Sequence, residues 1–115
     1  MYGGASPQKG FDCSGYVNYV FGLHGVKLPR STRGLVNWGK NVSLQRARVA
    51  DLILFTGSNP AGPVGHVGII TRPAGKDTEF IHAGSSGKQG GVVIGSLTND
   101  YFSRRFMKVI NVLAD

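Results

Sequence analysis

The chain carries one cysteine, Cys13, in 115 residues. That excludes an internal disulfide and any zinc site built from several cysteines, and leaves a free thiol that is either core filler or a reagent. Acidic residues are also scarce, six against thirteen Lys and Arg, for a net charge of +7 and a pI near 10.0. Such a field draws a protein toward polyanions. The bases are scattered, with no run longer than Arg104-Arg105, whereas a nucleic-acid module clusters them with exposed aromatics, so no nucleic-acid partner is expected. No stretch approaches the roughly 18 apolar residues of a membrane span, and Met1-Tyr2-Gly3-Gly4 has neither a basic nor an apolar leader character. Neither a span nor a targeting address is expected. His-Glu-x-x-His, paired-Cys and Asp-rich calcium motifs are absent, so no metal or other cofactor is implied. Internal repeats are absent too, and Gly84-Ser85-Ser86-Gly87-Lys88-Gln89 lacks the earlier glycine and the Ser/Thr of a phosphate loop.

What is present suits one compact domain over residues 1–115. Hydrophobic residues are 41% and charged residues 17%, enough apolar surface for a core. Eighteen glycines and five prolines without a period point to short elements joined by tight turns. After a turn-rich entry, Asp12 caps a helix in which Tyr16, Val17, Val20, Phe21 and Leu23 share one face, with Gly22 and Gly25 stopping it. Ser31 and Thr32 are candidate caps of a second helical piece through Leu35, Val36 and Trp38, ended by Gly39. Short apolar runs follow at Leu52-Phe55, His66-Thr71, Glu79-Ala83, Val92-Ile94 and Phe106-Leu113, the pattern of a mainly antiparallel sheet. Helices first and sheet second make an α+β fold.

Cys13 stands at the first turn of the first helix, where free amides and the dipole favour a thiolate. A nucleophilic thiolate needs a proton acceptor and a group to orient it. His66 opens a strand from which it can face a cleft, which makes it the candidate base. His82 alternates against Ile81 and is the candidate orienter. His24, beside Gly25, reads as a cap at the helix end, and Asp51 as a carboxylate holding local backbone amides.

Gly3-Gly4-Ala5-Ser6-Pro7, Gly10-Phe11-Asp12-Cys13-Ser14-Gly15, Leu28-Pro29-Arg30-Ser31-Thr32, Asp51-Leu52, Gly65-His66-Val67-Gly68-Ile69, Phe80-Ile81-His82-Ala83 and Tyr101-Phe102-Ser103-Arg104-Arg105-Phe106 together resemble the NlpC/P60 family of cysteine peptidases. The resemblance runs in order over nearly the whole chain. It implies a reduced papain-like fold, N-terminal helices on a five- to six-stranded, mainly antiparallel sheet. It also implies hydrolysis of an amide in peptidoglycan stem peptides, at the D-γ-glutamyl–diamino acid bond or a cross-link. Cys13 would be the nucleophile, His66 the base and His82 the orienter. Asp12, Ser14 and Ser31 would line the substrate groove, and the protein would act as a monomer in the periplasm, the cell envelope or outside the cell.

Two departures from the family pattern stand out. The family usually has a tyrosine three residues before the Gly-Gly pair, contributing to the oxyanion site, and that position falls just upstream of Met1, so the domain is expected to be trimmed there; Tyr2 does not match it. Ala50 stands where a glycine commonly precedes Asp-Leu. Alternatives are a thiol acyltransferase or amidase on the same fold, and a wall-binding module without catalysis.

Overall fold

A computed structural model describes residues 5–6, 10–84 and 91–113 of the chain. Tyr2, the Gly3-Gly4 pair, Pro7 and residues 85–90 of the Gly/Ser loop lie outside the described residues. Strands β1 (Ala5–Ser6) and β2 (Gly10–Phe11) form a small antiparallel ladder before helix α1 (Cys13–Leu23). A one-turn helix α2 (Thr32–Leu35) leads into β3 (Lys40–Val42). Strands β4 (Leu52–Thr56), β5 (Val64–Arg72), β6 (Glu79–Ala83) and β7 (Val92–Ser96) follow, then helix α3 (Asp100–Ser103) and β8 (Phe106–Asn111).

The Asp12 carboxylate accepts from the Gly15 amide at 2.7 Å, so α1 starts where its cap dictates. At the other end Gly25, at φ +77°, lets the Val26 amide reach the Phe21 carbonyl at 2.9 Å and its own amide reach Gly22 at 3.1 Å. That is a Schellman termination. An eleven-residue helix is marginal in water, and α1 is held by docking: Val17 and Phe21 are buried with Leu35, Leu52, Leu54, Val67, Ile69 and Ile110. Each such side chain contributes roughly 1.5–3 kcal/mol.

The main sheet has the order β3-β8-β4-β5-β6-β7, and every pairing is antiparallel. Alternation sends Leu52 and Leu54 toward α1 and Ile53 and Phe55 to the opposite face, where Ile70, Phe80, Leu97 and Val109 close a second core with Phe102 packed against it. All five residues of β4 are therefore buried. This is the α+β arrangement expected, with six strands in the sheet.

Several boundaries differ from the expectation. The second helical piece closes after one turn at Leu35 instead of running to Trp38. Strand β3, whose sequence Lys-Asn-Val lacks an apolar repeat, exists because β8 offers it a free edge. β5 runs from Val64 to Arg72, beyond both ends of the expected strand, while β8 stops at Asn111.

Candidate active site

Cys13 is the first residue of α1 and is partly buried at the rim of the α1-side core. Its Sγ donates to the Gly65 carbonyl at 4.0 Å, and the Val67 amide also faces it, so the thiol lies against the backbone on either side of His66. Burial pushes the thiol above its ordinary 9.0. The Val67 amide pulls it back, the Asp12 carboxylate raises it, and the amides of Ser14 and Cys13 lower it less. This corrects the expectation of a helix-stabilised thiolate. The helix-start amides act in the expected direction, but desolvation outweighs them.

His66 Nε2 and His82 Nδ1 lie 2.8 Å apart, with the rings nearly perpendicular. His66 is pushed down to about 4, first by burial and then by the charge His82 would carry; burial lowers His82 as well. Both imidazoles are thus neutral near neutral pH. Two alternate positions explain the meeting: His66 on β5 and His82 on β6 share the face of Phe55 and Phe80, and Cys13 approaches from the α1 side. Gly65, just before His66, lets the end of β4 close on β5. A Cβ there would stand 2.6 Å from the Gly57 Cα, and the β4–β5 register shifts at the same place.

Asp12 caps α1 with one carboxylate oxygen and pairs with Arg30 through the other at 3.2 Å. Ser14 is buried, and its Oγ accepts from Arg30 at 2.8 Å. Ser31 is exposed and caps α2, accepting from the Gly34 amide at 3.1 Å. Asp12 and Ser14 are thus drawn together beside Cys13 by one guanidinium, while Ser31 has a local structural task.

His24 ends α1, its amide donating to the Phe21 and Gly22 carbonyls. Asp51 is buried and accepts from the Arg48 amide at 2.9 Å and from Asn111 Nδ2 at 2.7 Å, the structural use expected of it. Among the described residues, no three His, Cys, Asp or Glu side chains gather where a metal could be held.

Sequence reasoning assigned no task to Phe102 and Arg105. A cavity of about 220 Å³ is lined by His66, His82, Phe55, Phe102, Ser58 and Arg105, among others, and Cys13 does not reach it. Arg105 lies 3.9 Å over the Tyr101 ring and donates to the carbonyls of Gly57 (3.2 Å), Ser58 (3.1 Å) and Tyr101 (3.0 Å). It ties α3 to the turn that leads into His66. The signal was the closing motif itself, an aromatic pair followed by an arginine pair.

A family model described as NlpC/P60 matches residues 1–111. A protein of Haemophilus influenzae named a probable endopeptidase is 41% identical over 95% of this chain and 63% of its own length. A protein of Escherichia coli named murein DD-endopeptidase and murein LD-carboxypeptidase is 39% identical over 96% of this chain and 54% of its own. The chain thus spans a little over half the length of these curated relatives. Among solved structures, a lipoprotein-like NLP/P60 protein of Staphylococcus aureus superposes with a TM-score of 0.83 at 31% identity, over all of this chain and 36% of that one.

Proposed function

The chain belongs to the NlpC/P60 family and has its papain-like fold, and from that premise we propose that it is the catalytic domain of a cell-wall cysteine endopeptidase. The observation that carries this is the placement of the Cys13 thiol against the backbone flanking His66, whose ring is bonded to His82. The names of the relatives supply the substrate class, peptidoglycan, and an envelope location follows from it.

The resting site holds a thiol and two neutral imidazoles. With its Nε2–H donated to His82 Nδ1, His66 keeps the Nδ1 lone pair as a base, and His82 fixes the tautomer. His66 Nδ1 takes the Sγ proton as sulfur attacks a stem-peptide carbonyl, and the Cys13 amide donates to the oxyanion. The tetrahedral intermediate collapses, the imidazolium protonates the departing amine, and a thioester remains on Cys13. Water, deprotonated by His66, opens the thioester and releases a carboxylate. Because burial raises the thiol and lowers His66, proton transfer accompanies attack rather than preceding it.

Asp12 and Ser14, positioned by Arg30, flank the nucleophile as substrate contacts, with Ser31 farther along the groove. The bond opened is the D-γ-glutamyl–diamino acid amide or a cross-link. The net charge of +7 concentrates the protein on a wall rich in carboxylates. Mass spectrometry of digested peptidoglycan tests this: new fragments ending at one amide class are expected, and fragments unchanged by the wild-type chain would refute it.

A further inference from the structure

Phe102, on the one-turn helix α3, touches both histidines without being a group that can react. Its ring centroid lies 6.3 Å from His66 at an interplanar angle of 26°, and 5.2 Å from His82 at 82°. The same ring meets Phe55 at 5.3 Å and Phe80 at 5.1 Å. Those two complete the walls, Phe55 standing 6.0 Å from His66 and Phe80 5.1 Å from His82. On the β7 side Gly95 leaves no spare room, since a Cβ there would lie 2.8 Å from the Phe80 ring and 3.0 Å from His82 Nε2. The two imidazoles therefore sit in an aromatic box whose α3 wall is a single side chain.

That wall is fixed from behind. Asn99 caps α3 by accepting from the Tyr101 amide at 2.8 Å, and Arg105 binds the carbonyls of Tyr101, Gly57 and Ser58. Movement of α3 would disturb the β4–β5 turn that delivers His66, so the Phe102 wall and His66 belong to one connected unit.

We propose that Phe102 is a positioning residue, which holds the rings of His66 and His82 at bonding distance and covers the pair on its α3 side. The role rests on the reading of His66 as the base. Removing the ring frees His82 to turn and widens the access of water to both rings; both changes favour the protonated imidazole and weaken the tautomer that leaves Nδ1 free. The titratable and charged groups around the pair are Cys13 from α1, Tyr101 from α3, Arg105 after it, and Glu79 at the edge of the groove beside His82. Phe102 adds no charge of its own, so its removal acts through solvation and geometry.

The test compares Phe102→Ala and Phe102→Tyr with wild type by nitrogen-detected NMR titration of the histidine rings, a readout that needs no turnover. Phe102→Ala is expected to raise the His66 midpoint from about 4 by about one pH unit or more toward 6.5, and Phe102→Tyr to stay near wild type. On a cleaved peptidoglycan fragment, Phe102→Ala should lower kcat about tenfold or more with KM little changed, and Phe102→Tyr should restore it. Should Phe102→Ala fail to fold, Phe102→Leu keeps most of the apolar volume and should move the titration in the same direction. A folded Ala or Leu variant with the wild-type titration overturns the proposal. If wild type cleaves nothing yet the titrations shift as expected, the peptidase reading fails and the positioning role stands.

Discussion

His66 Nε2 and His82 Nδ1 stand 2.8 Å apart, close enough for one hydrogen bond and too close for two charged rings. In the proposed mechanism that bond gives identical side chains different tasks. His82→Asn retains an acceptor for the ring N–H and should keep appreciable turnover, whereas His82→Ala should lose about tenfold to a thousandfold. His24→Ala should be kinetically silent, because His24 serves α1 through its backbone amide. Single-turnover rates on one stem peptide, with folding checked, measure the ordering. An inactive His24→Ala or a fully active His82→Ala would contradict it.

Burial of Cys13 leads to a less familiar expectation. With the thiol raised above 9.0 and the neighbouring imidazole neutral, iodoacetamide labelling should still be accelerating at pH 9. A labelling rate that levels off below neutral pH would mean that a thiolate–imidazolium pair exists in the resting enzyme.

Stability should fall with acid, and the sign follows from the histidine. Folded His66 takes its proton near pH 4 while an unfolded histidine does so near 6.5, so between those values the unfolded chain binds more protons. The stability is complete above about pH 6.5 and is lost as pH falls toward 4. His66 alone accounts for about 2 kcal/mol at pH 5 relative to pH 7.5, and His82 adds in the same direction. Urea unfolding at the two pH values measures this, and His66→Asn should flatten the slope.

Ala50 occupies the left-handed region at φ 78°, which explains the glycine that commonly stands there. Its amide still donates to the Ile70 carbonyl at 2.9 Å, and Ile70 returns a bond to Asp51 at 2.8 Å, so the conformation is enforced by the β4–β5 pairing. Ala50→Gly relieves about 1–2 kcal/mol of strain and loses about 0.5–1 kcal/mol to unfolded-state entropy. A small net gain in thermal stability is expected, and a drop in Tm would contradict it.

Much of this was legible in the sequence because the signals were local. Asp12 and Gly25 bracket α1, the strand that His66 opens can be read from its apolar run, and alternation sets His82 opposite Ile81. What escaped depended on partners distant in the chain. β3 has no pattern of its own and forms on the edge of β8, and the Phe102 contacts to His66 and His82 arise only once α3 folds back over β5 and β6. The thiolate expectation failed for a related reason. A helix start can be read from Asp12-Cys13-Ser14, but the burial that governs Cys13 arises only when α1 docks on the sheet and the thiol comes to lie against β5, some fifty residues later.

The central claim is that Cys13 opens a peptidoglycan amide by way of a thioester that water resolves. The most direct measurement is mass spectrometry of a purified stem-peptide fragment incubated in oxygen-18 water with wild type and with Cys13→Ala. Wild type should yield a free amine and a carboxylate carrying the heavy oxygen, and Cys13→Ala should yield neither. Equal cleavage by Cys13→Ala, or a wild-type product whose acyl group has passed to another amine without heavy oxygen, would contradict the account.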